Sequence, residues 1–470
     1  MPYAPCPSLL LKRSFLYYFS AMPKLQFTPS DGSQADHELA GERVTRQDLV
    51  PQSAGGKVRI AIFGAGILGS CTALELADRG YQVSLFERNA EPLSEASVFN
   101  EGKLHLGFVY AADRTFRTAE RMIRGAEQFM DVLGRWIPHT ALQALSARPF
   151  DYLVHRGTMV SVPDVEAHFL RVSQRLDEVR SRRPTVSPLD VSRPVWRRLT
   201  REELATRYNP ALIEAAYETC EIAVDSWVVA NHLRAALRAH PRIELVTRAR
   251  VITAEDRAGG GFDVIFEAQG RHCAGPFAAV VNALWANRPA IDQRYGLPPG
   301  KQSFTRRKLG VNLHCGRASD TLHSVTIMLG PFGDIVSHRS GRVYLSWYPS
   351  CMIGTAAGGE ETDWNEVLGG VDFDSVRRGT IDALAAIYPA VGNLKAIAGE
   401  PVVVNGGSIF APGQTDIDDP RSELHERLDT GIEGCGAYLS VDTSKFSLGP
   451  AMAVRTADRV TALLGAPARS

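Results

Sequence analysis

The chain has little of what marks a secreted, metal-built or nucleic-acid-binding protein. Seven cysteines are scattered through 470 residues: Cys6, Cys71, Cys220, Cys273, Cys315, Cys351 and Cys435. Their number is odd and no CxxC spacing occurs, which argues against a disulfide scaffold or zinc site and for reduced thiols. Cys71, Cys315 and Cys351 read as small core residues. An excess of either charge is also lacking, since Lys+Arg and Asp+Glu are 52 each. No global basic field therefore points to nucleic acid or anionic lipid; the basic runs 180–183 and 197–198 read as solvated faces. The apolar stretches 9–11 and 15–19 are split by Lys12 and Arg13, too short to span a bilayer and a poor signal peptide. The P-loop, HExxH, GxSxG and EF-hand patterns do not occur, so the chemistry is expected to come from a bound cofactor. Residues 1–56 read as a mobile leader, polar from Ser30 onward. The late first acid, Asp31, faintly suggests organelle targeting, and Met22 is an alternative start; the expectation is a cytoplasmic protein.

What is present is concentrated in residues 57–110. An apolar run at 58–63 has the length of one buried strand. Gly64-Ala65-Gly66-Ile67-Leu68-Gly69 follows at once, then a helical stretch at 67–79 stopped by Gly80, then a second strand at 82–87 ending in Glu87. In this arrangement Gly64 permits the tight turn, Gly66 lets backbone approach a pyrophosphate, and Gly69 lets helix pack on strand. Phosphates favour the helix N-terminus for its free N–H groups and positive dipole end. Glu87 falls about 20 positions after the first glycine, where a carboxylate bonds ribose hydroxyls. The alternative, a tight turn with no ligand, leaves the placement of Glu87 unexplained.

Further along, 115–137 has an amphipathic helical pattern with Ala119, Met122, Ile123, Ala126, Phe129, Met130 and Leu133 on one face. The stretch 152–162 alternates like a strand pair about Arg156-Gly157, and 163–182 returns to helical spacing. Residues 183–194 hold three prolines and read as a connector. A short helix capped by Thr200 is expected at 200–208, a strand at 223–228 and a helix at 231–239. Strands are expected at 243–254, 261–268 and 277–282, the first two joined through Gly259-Gly260-Gly261, and again at 308–314, 324–329, 342–348, 402–404 and 438–441. Helices are expected at 376–388 and 449–464. Alternating elements at both ends around a strand-rich middle predict a doubly wound α/β domain interrupted by a mostly antiparallel one, with the ligand in the crevice between them.

The segment Ala96-Ser97-Val98-Phe99-Asn100-Glu101-Gly102-Lys103-Leu104-His105-Leu106-Gly107 resembles the stretch after the second strand in FAD-dependent oxidoreductases of the D-amino-acid oxidase type. Within that group, residues 100–110 most resemble the L-2-hydroxyglutarate dehydrogenase pattern N-S-G-x-I-H-x-G-I-Y-Y. Residues 278–283 are similar to the family's D-x-V-V-N-A-x-G strand, and 444–453 to its C-terminal G-K-x-T…M-A segment. Two departures fall on the expected flavin surround: Trp285 and Ser444 stand where the family has glycine.

The resemblance implies a Rossmann-like FAD-binding domain (57–115, 220–300 and 400–470) interleaved with a mostly antiparallel β-sheet substrate domain (116–219 and 301–399). It implies FAD as cofactor, with NAD the runner-up. The polar loop after Glu87 leans the same way, since it could run beneath a long ligand. Gly64, Gly66, Ile67, Leu68 and Gly69 would hold the pyrophosphate, and Glu87 the ribose with Arg88 beside it. Ser97, Asn100, Gly102 and Lys103 would lie along phosphate and flavin, Val251 would present its backbone to adenine, and Lys445, Phe446 and Ser447 would lie at the flavin's C-terminal side.

The implied reaction takes hydride from a carbon bearing an amine or hydroxyl, in a small acid, onto flavin N5. Electrons would then pass to oxygen or a carrier. His105 is the leading catalytic candidate, as the base; a covalent flavin tether or a structural role are its alternatives. Tyr110, in the same loop, is the second catalytic candidate, for contact with substrate or flavin. Arg306, Arg307, His314 and Tyr348 are candidates for the acid's carboxylate. A flavin-binding protein without turnover is the alternative from another class.

Overall fold

The structure, a computed structural model, describes residues 58–466 apart from 145–147, 183–193, 359, 361, 395–398, 418 and 428–430. The expected leader and most of the proline-rich connector lie outside the described residues. β1 (Arg59–Phe63), α1 (Ile67–Asp78) and β2 (Gln82–Glu87) form where the apolar runs and glycines place them. β1 lies between β2 and the strand Ala279–Asn282, parallel to both. The strand Ile243–Thr247 continues the sheet beyond β2, and Tyr438–Val441 then Ile432–Cys435 continue it on the other side. Only the last of these six strands runs antiparallel to its neighbour.

Both faces of this sheet are covered, because strand side chains alternate. Ile60 and Ile62 enter a core that includes Leu74 of α1 and Ala453 and Val460 of the closing helix Gly449–Leu464. Ala61, Phe63 and Phe86 face the other way, onto a three-stranded antiparallel sheet of Arg250–Asp256, Phe262–Glu267 and Arg271–Phe277. There Phe86 meets Phe266 at 5.2 Å between ring centroids. A mixed nine-stranded sheet forms the second half. Its spine is the long strand Ser303–His314, paired along its length with Gly399–Pro412 and in parts with Arg342–Trp347 and Met352–Ala357. The fold is the expected one: a Rossmann-like parallel sheet interleaved with a mostly antiparallel one.

Several local expectations are corrected. The run expected as a strand at 223–228 is strand only at Ile222–Ala223. Asp225 then caps a helix, Ser226–Ala239, by accepting from the N–H of Trp227 at 3.1 Å, and the cap overrides the β-rich composition. The stretch 243–254 is two strands in different sheets, parted where Arg248 takes φ 57°. At 152–162 only Phe150–His155 is strand, and the chain then turns into the helix Val162–Arg182. The short strand expected at 402–404 is part of Gly399–Pro412. Strands Ile213–Thr219 and Gly333–Ser337 were not anticipated.

Sheet membership also cuts across the expected domain limits. Gly399–Pro412, assigned by the sequence to the dinucleotide half from residue 400, belongs to the nine-stranded sheet. The helix Arg117–Leu133, assigned to the substrate half, packs on the closing helix. Among the described residues, no helix is long and apolar enough to cross a membrane.

Candidate active site

The turn after β1 is built as its glycines require. Gly64 takes φ 87° and donates its N–H to Phe86 O at 2.8 Å. A Cβ on Gly69 would lie 1.9 Å from Gly64 O, so this helix can approach the strand only with glycine there. Gly66 is the N-cap of α1 and has no side-chain cap of its own. Ser97 supplies part of that service, its Oγ accepting the N–H of Ile67 at 2.9 Å. Glu87 closes β2 with one carboxylate oxygen on the N–H of Ala65 (3.0 Å) and the other on that of Asn89 (2.9 Å). Burial raises its pKa, while those two N–H groups pull it back. Arg88 is paired with Glu95 at 3.5 Å.

One continuous cavity runs from this turn to the face of the nine-stranded sheet. Gly64 and Glu87 line one end; His105, Arg306, Tyr348 and Lys445 also line it. The loop between the two sheets is tied down along its length. Asn100 donates to Ala96 O (2.8 Å) and accepts the N–H of Gly102 (2.7 Å). Gly102 has φ 68°, and a Cβ there would lie 2.0 Å from Val224 O. Lys103 Nζ binds Asp334 at 2.7 Å and the hydroxyl of Thr326. It therefore lies on the cavity wall as half of a buried ion pair, and its ammonium is directed to the sheet.

His105 lies two positions on. Glu221 holds the next residue by accepting the N–H of Leu106 at 2.6 Å, and its second oxygen accepts the hydroxyl of Tyr152. Burial pushes the Glu221 carboxyl up to about 7, against the pull of Lys103. His105 itself is buried, and its pKa is held well below the usual imidazole range, first by burial and then by Lys445, Lys103 and Arg427. It is therefore neutral. Its Nδ1 is buried without a hydrogen-bond partner among the described residues, as is the hydroxyl of Tyr110. The Tyr110 ring stands edge-on to the imidazole at 5.6 Å. Burial raises the Tyr110 pKa, so its hydroxyl keeps its proton.

Cations dominate the wall near the larger sheet. The long strand contributes Arg306, paired with Asp416, and Lys308, whose Nζ lies 4.2 Å from the centre of the Tyr348 ring. Arg427 is buried, and burial lowers its pKa, with Tyr110 opposing. Among the described residues no carboxylate pairs with it. Lys445 is brought down to about 7 by burial and by Arg427, with Glu101 opposing.

The family model for FAD dependent oxidoreductases matches residues 59–459. The chain belongs to this family. Its cofactor is FAD, as expected, and the nicotinamide alternative falls away. Among solved structures this oxidoreductase is similar to iminodiacetate oxidase from Chelativorans sp. BNC1, with a TM-score of 0.59 and 17% identity over 88% of this chain and 97% of that one. Glycine oxidase from Geobacillus kaustophilus gives 0.58 and 16%, over 87% and 97%. The L-alpha-glycerophosphate oxidase from Mycoplasma pneumoniae with FAD bound gives 0.57 and 16%, over 86% and 94%. At these identities the likeness is one of fold. A 56-residue stretch is 48% identical to the tRNA 5-methylaminomethyl-2-thiouridine biosynthesis bifunctional protein of Pseudomonas savastanoi pv. phaseolicola. That stretch spans 12% of the oxidoreductase and 8% of the relative.

The residues present fit FAD. Gly64 and Gly66 line the cavity, Ile67 and Leu68 at the helix N-terminus line it too, and the cavity extends from Glu87 to the second sheet. Gly64, Gly66, Ile67 and Leu68 would hold the pyrophosphate, Glu87 the ribose, and Ser97 the adjoining loop; all line the cavity. Arg88, Asn100, Lys103, Lys445 and Phe446 line it too. Gly69, Gly102 and Ser447 do not; a Cβ on either glycine would strike backbone, and Ser447 is buried. The side chain of Val251 is buried in the core between the parallel and three-stranded sheets, away from the wall. Of the four carboxylate candidates, Arg306 and Tyr348 reach the cavity. Arg307 instead binds Glu95 at 3.1 Å, and His314 closes the long strand at an exposed position. Sequence reasoning missed Glu221, Lys308, Asp334 and Arg427. A carboxylate within the apolar run 220–224 was a signal for Glu221; Arg427 sits in a polar stretch with no pattern to single it out.

Proposed function

We propose that this oxidoreductase oxidises a small acid at a carbon bearing an amine or hydroxyl group. The observation that carries the reading is Arg427, a buried guanidinium on the cavity wall with no carboxylate partner among the described residues. Burying a charge costs several kcal/mol unless an opposite charge is supplied, and a planar carboxylate meets a guanidinium through two parallel hydrogen bonds. The substrate's acid group is thus held by Arg427, with Lys445 adding charge.

His105, neutral and on the cavity wall, accepts the proton from the substrate's hydroxyl or amine. Tyr110, protonated beside it, donates a hydrogen bond. The cationic wall disfavours an ammonium group, so an amine substrate reacts as the neutral base. When bound, FAD supplies the acceptor for the substrate's two electrons. The names of iminodiacetate oxidase and glycine oxidase agree with an acid substrate bearing nitrogen.

The test is anaerobic mixing with small 2-amino and 2-hydroxy acids and with their amides, followed through the flavin absorbance. Bleaching by an acid and not by its amide is expected. Equal bleaching by both would remove the carboxylate role. Failure of every acid and amide to bleach the flavin would favour a flavin protein without turnover. In His105→Ala the bleaching rate should fall at least a hundredfold, the usual scale of a lost general base.

A further inference from the structure

Trp285 carries a bulky side chain on a backbone with φ 56°. A large aromatic residue is an outlier there, and such strain persists only where the surroundings over-determine it. The surroundings do. The N–H of Ala283 donates to Phe63 O at 2.9 Å, and the N–H of Leu284 to the side chain of Asn282 at 3.2 Å. The indole N–H donates to Ser408 O at 2.8 Å.

These contacts join two walls of one cavity. On one side the segment 283–285 lies over the phosphate turn: a Cβ on Gly64 would be 3.0 Å from Ala283 O and 3.2 Å from Leu284 Cα. On the other, Ser408 belongs to Gly399–Pro412 in the nine-stranded sheet. Its neighbour Gly407 presses on the loop that caps α1, where an added Cβ would lie 2.4 Å from Ala96 Cα. Trp285, Gly407 and Ser408 all line the cavity. The indole bond therefore closes a ring of backbone around the place where the pyrophosphate belongs.

We propose that Trp285 is a clasp that retains FAD: its bond to Ser408 must open before the dinucleotide leaves. The backbone strain is the cost of placing an indole rather than a small residue at this turn. Trp285 is thus a positioning residue for the cofactor, and the proposal is independent of which acid is oxidised.

The experiment dilutes purified holoenzyme and follows the return of free-flavin fluorescence, with no substrate present. Trp285→Phe keeps a ring but loses the N–H, and its FAD should leave about fivefold faster, the worth of one hydrogen bond. Trp285→Gly removes the clasp and relieves the strain. Its FAD should leave faster still, while the FAD-free protein melts no lower than wild type. A release rate in Trp285→Phe within twofold of wild type would overturn the proposal, whatever the glycine variant does. So would a FAD-free Trp285→Gly protein that melts lower than wild type by as much as the loaded one, since that outcome describes a residue serving the fold alone.

Discussion

Glu221 accepts the backbone N–H of Leu106 at 2.6 Å and so fixes the residue that follows His105. The carboxyl is fully buried and pushed up to about 7 by that burial. Its ordinary value is about 4.3, so the folded protein holds a proton there that the unfolded chain has released between these limits. Stability from this group is complete below the lower value and is lost as pH rises toward 7. The size is on the order of 3 kcal/mol for a shift of this extent. Glu221→Gln keeps an acceptor for Leu106 and cannot ionise. Its melting temperature should therefore be flatter than wild type between pH 5 and 8, with the difference favouring the variant most at pH 8. Parallel melting curves across that range would show that Glu221 titrates elsewhere.

Lys103 and Asp334 make a second buried pair, at 2.7 Å, across the junction of the loop and the large sheet. Breaking a buried pair costs about 3–5 kcal/mol, and without Lys103 the Asp334 carboxylate keeps only the Lys308 charge acting on it from longer range. Lys103→Met should lower the urea midpoint strongly. Adding Asp334→Leu should restore most of the loss, since an apolar pair of similar volume is often as stable. If Lys103 bound the flavin and not the fold, Lys103→Met would weaken FAD binding and leave the midpoint of the FAD-free protein in place.

This pair also marks how far the sequence could be read. β1, α1 and β2 were legible because each device is local: an apolar run, glycines at fixed spacing, a closing carboxylate. The closing helix Gly449–Leu464 was legible for the same reason, with Pro450 in its first turn and Gly465 just past its end. Lys103 sits in a motif, so it was noticed, but its partner lies 231 positions away and nothing local names it. The long strand had the same problem, since its register is set by Gly399–Pro412 and by strands from other parts of the chain. At Ala223 a β-rich run yielded to a single capping aspartate. Arg427 belongs to no periodic element, and only the fold brings it to the cavity beside His105.

Arg427→Met tests the acid-binding reading directly. A charged bidentate contact is worth about 2–3 kcal/mol, so KM for the acid should rise by roughly 30- to 150-fold, with a smaller change in kcat. The FAD-free variant should be no less stable than wild type, because the buried guanidinium has no ion-paired carboxylate among the described residues, Asp442 acting on it only from longer range. An unchanged KM in steady-state assays would place the carboxylate elsewhere.

Lys445 supplies the pH dependence. Burial and Arg427 bring its ammonium down to about 7, so it is charged below that pH and neutral above it. If it helps attract the acid, kcat/KM, which reports the free enzyme, should fall as pH rises through 7. An amine substrate would add an opposite limb, since its neutral form grows with pH; a hydroxy acid, which has no ammonium to lose, isolates the lysine. Lys445→Arg carries a charge that does not titrate in this range, and with a hydroxy acid its profile should stay level from pH 6 to 9. Retention of the wild-type inflection in Lys445→Arg would assign it to another group facing the cavity.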